Sequence, residues 1–315
     1  MKKKGGITDY IRIARFDHWI KQLFIIPGVV FAVALTEFNF STFEASNFLL
    51  GFLAVCLIAS ANYIINEWLD AEFDKYHPTK KYRTTVSASL VGRFVYLEYT
   101  IFVLAGLAAA FLANIEIFLC CLFLLIMGIL YNVKPFRTKE VIYLDVLSES
   151  INNLIRLMIG WFIITTTYLP PVTIVLGYWM GGAFLMATKR YAEYRMINDK
   201  ETAGLYRKSF QRYTNESLLI SAFFYALLTV FFCGVFLVKY KIELLLAIPA
   251  LCGLFCFYLH ISYKSDSAVQ KPEKLFKERG LMLYVGLLII LFCTLMFINI
   301  PLLDFLLDTT LIGGK

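Results

Sequence analysis

Nine apolar runs, most of them about 20 residues long, dominate this chain of 315 residues. A run of that length crosses a hydrocarbon core about 30 Å thick as one helix, and a helix is what such a core demands, since no water satisfies an open backbone there. The runs fall at roughly 19–36, 48–67, 94–112, 115–131, 141–166, 171–189, 217–238, 242–263 and 280–302. They predict an all-α membrane protein, a bundle of nine transmembrane helices forming one integral membrane domain over residues 1–315. Hydrophobic residues make up 59% of the chain and charged ones 17%, where a soluble domain carries about a quarter charged. The opening MKKKGGITDYIRIARFDHW holds too much polar sequence for a cleaved signal peptide, so the first span is expected to be retained.

The basic residues set the orientation. With a cytoplasmic N-terminus, 26 of the 30 lysines and arginines fall on the inner side, and only Lys239, Lys241 and Lys315 outside. Arg156 lies within a span. Short loops carrying that bias stay in the cytoplasm, so the expectation is a bacterial inner (plasma) membrane protein whose site faces the cytoplasm. The net charge of +7 follows from this asymmetry, suits anionic lipid headgroups and calls for no nucleic acid. The seven cysteines lie in apolar runs, not at metal or disulfide spacing, and read as packing residues. Two inner loops, 72–93 and 190–216, are long and rich in charge and aromatics, which is where a rigid scaffold carries function.

The first of these loops follows the most informative pattern. Asn66, Asp70 and Asp74 recur every four residues at the end of the second span, with Tyr63 one turn earlier. On a helix this spacing stacks oxygen ligands along one face. Neighbouring carboxylates repel one another, and a hard divalent cation relieves the cost. Mg²⁺ binds one or two carboxylates and completes its shell from substrate phosphates. His77, Lys80 and Arg83 follow directly and supply charge for the phosphates that the metal leaves uncompensated. The plainer alternative, a solvated helix end with ordinary inner-loop charges, accounts for the basic residues but not for the carboxylate stack.

The sixth span ends on Lys189, Arg190, Tyr191 and Glu193. Lys189 and Glu193 either pair at i, i+4 or hold a phosphate and sugar hydroxyls where the helix leaves the bilayer. In the fifth span Asp145, Glu149, Asn152, Asn153 and Arg156 interrupt an apolar run. Groups so placed line a cavity or pair with one another, so a Glu149–Asn153–Arg156 network and a phosphate contact from Arg156 both stay open. Near the start, Trp19 reads as an interfacial anchor, and Lys21 reaches toward the same polar cavity.

Asn66-x3-Asp70-x3-Asp74 resembles the first aspartate-rich motif of the UbiA-type intramembrane prenyltransferases, and the span count resembles their nine-helix bundle. Most of that family carry a second Asp-x3-Asp after the sixth span; here Asp199 stands alone. The segments Lys189-Arg190-Tyr191-Ala192-Glu193, Tyr206-Arg207-Lys208-Ser209, 74–83 and Trp19-Ile20-Lys21 resemble the decaprenyl-phosphate phosphoribosyltransferase branch, from which the chain departs at Gln22, Glu67 and Thr84. The resemblance implies 5-phosphoribosyl 1-diphosphate as donor, a polyprenyl phosphate as acceptor, Mg²⁺ as cofactor and a role in cell-envelope glycan (arabinan precursor) synthesis. It implies Mg²⁺ on Asn66, Asp70 and Asp74, and leaving-group charge from His77, Lys80 and Arg83. Lys189 and Arg190 would hold the 5-phosphate and Glu193 the ribose, with Tyr191, Tyr63, Lys21 and Arg156 as further substrate-binding residues. Two rivals stand beside it: a UbiA-type enzyme joining a prenyl diphosphate to an aromatic acceptor, and a non-catalytic transporter or lipid-binding protein. Self-association into a homo-oligomer is compatible with all three.

Overall fold

A computed structural model describes residues 3–36, 45–264, 267–270, 275 and 277–303. Lys271 and Lys274 of the basic segment expected on the inner side, and the tail expected outside with Lys315, lie outside the described residues. The helices are α1 (Ile7–Ile13), α2 (Ile26–Leu35), α3 (Ala45–Asp74), α4 (Thr84–Ser87), α5 (Gly92–Ala113), α6 (Ile115–Asn132), α7 (Leu144–Ile164), α8 (Val172–Ile197), α9 (Lys200–Tyr206), α10 (Asn215–Tyr240), α11 (Ile248–Ser262) and α12 (Arg279–Phe297). Two-residue strands, β1 (Lys3–Lys4) and β2 (Ala88–Ser89), pair in parallel.

Among the described residues, eight helical segments are long and apolar enough to cross a bilayer: Ile7–Leu35, α3, α5, α6, α8, α10, Ile242–Ser262 and α12. The remaining expected span is α7, a helix of 21 residues. Its apolar run is interrupted by Glu149, Asn152, Asn153 and Arg156. Other boundaries also moved. The first span is not one α-helix: Arg15 takes a positive φ of 53°, residues Phe16–Ile25 form 3₁₀ turns, and Pro27 opens α2, where its missing N–H costs nothing. The second and sixth spans run past the expected 67 and 189, to Asp74 and Ile197, so both candidate motifs lie on helix.

The chain divides into two compact units, Met1–Pro170 with Ile197–Leu218, and Pro171–Met196 with Leu219–Lys315. In the first, α3 packs mainly on α5, while α2 and α6 both pack on α7. Ile25, Val55, Ile58, Leu124, Ile155 and Trp161 form the buried centre. The α2–α7 crossing is close because it is built on glycine. A Cβ at Gly28 would stand 2.0 Å from the Leu157 carbonyl oxygen, and one at Gly160 would stand 2.0 Å from that of Ile25. Small residues that let backbones approach are the usual means of helix association in a bilayer. Outward, Leu97, Ile101, Leu104, Phe111 and Leu112 of α5 are exposed, as a lipid-facing surface requires.

In the second unit Gly177 and Gly181 of α8 face Phe232, Cys233 and Thr229 of α10. Phe184 of α8 packs on Phe255 and Tyr258 of α11, and the Tyr284 hydroxyl of α12 donates to the Ala250 carbonyl of α11. All seven cysteines are free thiols. Cys256 and Cys293 are exposed on apolar helices rather than buried in packing.

Candidate active site

Tyr63, Asn66, Asp70 and Asp74 share one face of the last turns of α3. This is the wrong end of a helix for carboxylates, because the unsatisfied carbonyls there present negative charge. Cations supplied by distant segments answer them. Asp70 Oδ1 accepts hydrogen bonds from Lys139 Nζ at 2.5 Å and Arg137 Nη2 at 3.0 Å. Its Oδ2 accepts from Asn66 Nδ2 at 3.2 Å. Asp74 Oδ2 accepts from Arg83 Nη1 at 2.7 Å, and Asp74 is buried.

The connection between α6 and α7 supplies most of this charge. Arg137, at a positive φ of 34°, also pairs with Glu140 at 2.6 Å and stands over the Phe73 ring at 4.9 Å. Lys139 Nζ bonds Asn132 Oδ1 at 2.8 Å, and the same oxygen accepts from Asn66 at 2.6 Å. Burial pulls Lys139 down to about 8 and Arg137 beside it adds to the effect, against the opposing pull of Asp70. For Arg83 burial acts downward too, but Asp74 and Glu67 outweigh it and lift the guanidinium above its ordinary value.

A third segment closes the group. Arg207 donates to the Tyr131 hydroxyl at 3.3 Å, and Lys208 bonds Glu140 at 2.9 Å. The Tyr206 hydroxyl accepts from Lys80, and its ring meets that of His77 at 4.6 Å. His77 is buried, and its Nδ1 accepts the Thr79 and Lys80 amides at 3.2 Å each, which sets the turn after α3. Asp70, Phe73, Asp74, Arg137, Lys139, Glu140, Tyr206, Arg207 and Lys208 line one cleft.

Among the described residues, no group of three or more His, Cys, Asp or Glu side chains could hold a metal. Two carboxylates one turn apart nevertheless fit Mg²⁺ where substrate phosphate completes the shell. Asn66 presents its amide nitrogen, not its oxygen, to Asp70, so in this arrangement it acts as a donor that orients the carboxylate. Asp199 is taken by α9, whose Thr202 amide it accepts at 2.8 Å as N-cap. That hydrogen bonding holds its carboxyl below the usual range.

The residues expected to line a cavity meet near Tyr63. His18 bridges Arg15 and Lys21, with Arg15 Nη2 2.5 Å from Nε2 and Lys21 Nζ 2.9 Å from Nδ1. The His18 ring stands edge-on to Tyr63 at 5.1 Å, and Arg15 lies over Tyr63 at 5.8 Å. Arg156 donates to Gln22 Oε1 at 2.7 Å and Asn153 Oδ1 at 3.0 Å, whereas Glu149 accepts from Tyr131 at 2.8 Å. Trp19 is tied inward to Ser60 at 2.9 Å and does more than anchor an interface.

On α8, in the other unit, Arg190 pairs with Glu193 at 3.0 Å, both side chains 1% exposed. Tyr191 meets Tyr263 at 5.4 Å, and Arg195 stands over both rings. Sequence reasoning missed Arg137, Lys139 and Asn132. Nothing in a short basic loop says which cations turn inward, and their partner Asp70 is more than 60 positions away.

An acidic pair set among inward-turned cations at the end of apolar helices marks this cleft as the candidate site of a polytopic membrane protein. The chain belongs to the UbiA prenyltransferase family, whose model matches residues 24–284. It is 29% identical to the decaprenyl-phosphate phosphoribosyltransferase of Mycolicibacterium smegmatis over 229 residues, 68% of this chain and 65% of that protein. It is 25% identical to the Corynebacterium glutamicum protein of the same name over 224 residues, 67% of this chain and 61% of that one. The match thus spans a little under two thirds of either relative. A UbiA homolog from Archaeoglobus fulgidus, solved bound to GPP and Mg²⁺, shares the fold with a TM-score of 0.67 and 21% identity, covering 92% of this chain and 100% of that one.

Proposed function

We propose that the chain transfers 5-phosphoribose from 5-phosphoribosyl 1-diphosphate to a polyprenyl phosphate and releases diphosphate, at the cytoplasmic face of a bacterial inner membrane. The observation that carries this is the balance of the cleft. The carboxylate pair Asp70 and Asp74, with Glu140 beside it, is faced by five cations, Arg83, Arg137, Lys139, Arg207 and Lys208, and the lone Asp199 serves as a helix cap. A site with one carboxylate pair and many cations suits a donor with phosphate groups at both ends better than a prenyl diphosphate held between two aspartate pairs. The names of the relatives agree.

In this reading Asp70 and Asp74 hold Mg²⁺, which when bound neutralises the diphosphate and eases its departure. Asn66 orients Asp70. Lys139, Arg137 and Arg83, which pair with these carboxylates, would supply the positive charge that the substrate phosphates need. His77 and Lys80 fix the turn and Tyr206 beside the leaving group. The acceptor phosphate lies with Lys21 and Arg156 near Tyr63, two turns up α3 from Asp70 and so about 10 Å away. That phosphate is already an anion, so no general base is needed, and positioning with electrostatics carries the rate. Lys189, Arg190, Tyr191 and Glu193 take the 5-phosphate and ribose on the strength of the resemblance alone.

The test is direct. Purified protein, Mg²⁺, labelled phosphoribosyl diphosphate and a polyprenyl phosphate should give a labelled lipid, while a prenyl diphosphate with an aromatic acid gives no product. Product in the second tube and none in the first overturns the proposal.

A further inference from the structure

One buried carboxylate takes no part in this reaction, yet it holds the segment that brings Arg207 and Lys208 to the cleft. Asp145, the second residue of α7, is 0% exposed. Its Oδ1 accepts the Tyr213 hydroxyl at 2.8 Å and its Oδ2 the Ser209 hydroxyl at 3.2 Å. Arg207 Nη1 stands 3.8 Å from the same Oδ2. The Tyr213 oxygen also accepts the Tyr143 amide at 2.7 Å, which fastens the loop before α7 to the segment after α9. The first turn of α7 favours a negative charge at Asp145, and two hydroxyls with a guanidinium offset much of the cost of burying it.

Arg207 is thereby fixed from three sides. Besides Asp145 it reaches the Tyr131 hydroxyl at 3.3 Å and the Lys139 carbonyl at 3.5 Å, and Lys139 is the residue bonded to Asp70. A guanidinium on a free surface loop would lose rotamer freedom each time it met a phosphate. Held in place, it meets the ligand at much smaller cost.

We propose that Asp145 is a positioning residue for diphosphate: through Ser209, Tyr213 and Arg207 it pre-places the segment 207–213 over the cleft. The inference rests on reading that cleft as the diphosphate site. Full-length protein in nanodiscs, titrated calorimetrically with inorganic diphosphate in Mg²⁺, gives the test. Asp145→Asn and Arg207→Ala should each weaken binding about tenfold, and the double variant should be little weaker than either, because both changes remove one arrangement. Ser209→Ala alone keeps the Tyr213 hydroxyl on the buried charge, and should weaken diphosphate several-fold even if Asp145→Asn fails to fold. In turnover, the loss should appear in KM for the donor and leave KM for the lipid unchanged.

Effects that multiply in the double variant, or diphosphate affinity unchanged despite a lowered Tm, would reduce Asp145 to a structural residue and overturn the proposal. Diphosphate is common to sugar and prenyl donors. A coupled cycle in a protein that makes no phosphoribosyl lipid therefore upholds Asp145 while the proposed donor falls.

Discussion

Asp70 is a carboxylate at the negative end of a helix, and the proposed function asks it to stay ionised to bind a metal. Lys139 and Arg137 supply the positive charge that offsets it there. Asp70→Asn and Asp74→Asn should each cut turnover by about 10²–10³-fold, the scale on which removal of a preorganised charge acts, with the melting temperature little changed. Near-normal kcat/KM in either variant would remove the metal role. Chelation should stop turnover and added Mg²⁺ restore it; activity persisting in excess EDTA contradicts the assignment. Lys139→Met leaves Arg137 on Asp70, and should raise KM for the diphosphate substrate about tenfold or more, as loss of a charge-assisted hydrogen bond does. Lys139→Arg should recover part of that loss.

These residues also mark what the sequence revealed and what it hid. The four-residue spacing of Asn66, Asp70 and Asp74 is a local fact of helix geometry, so it was legible. Lys139 and Arg137 were counted only as inner-loop charge, because their meeting with α3 depends on how α6 and α7 turn around Asn132 and the positive-φ Arg137. The spacing also places Asn66 on that face, and its nitrogen donates to Asp70. Residue type gave its place on the helix but not the direction of its amide.

Between elements, the decisive contact is the reciprocal glycine crossing of α2 and α7. It brings α7, with Arg156, against the 3₁₀ stretch that carries His18, Lys21 and Gln22. Gly160→Ala would push a methyl group onto the Ile25 carbonyl. Overpacking of this kind costs about 1–3 kcal/mol, and the variant should show a lower Tm in detergent. Gly234 in α10 has no atom within 4 Å of an added Cβ. Gly234→Ala should be neutral or slightly stabilising, since alanine is the better helix former by about 1 kcal/mol. Equal melting temperatures for the two variants would show that the α2–α7 contact is not as tight as drawn. Apolar run length alone indicated where these helices lie. It could not show that the first span breaks into 3₁₀ turns, because Arg15 and Pro27 act on backbone conformation rather than hydropathy.

At the scale of the whole molecule, orientation turns on which end of the first unit carries the basic loops. Within the first unit, Asp70 at the end of α3 touches Arg137 and Lys139 in the connection after α6. The chain between them leaves along α5 and returns along α6, so the residues after α3 and those before α7 share one end. The residues after α7, Thr165 to Leu169, then lie at the other end. The cleft end is the basic one, and short basic loops remain cytoplasmic. Cysteines placed at the exposed Lys75 and Thr167 in a cysteine-free background should therefore report from opposite sides. A membrane-impermeant maleimide should label Thr167→Cys in intact spheroplasts, and Lys75→Cys only in inverted vesicles. The reverse pattern would put the cleft outside, where a phosphosugar made in the cytoplasm could not reach it. The proposed donor would then fail even with every contact around Asp70 intact.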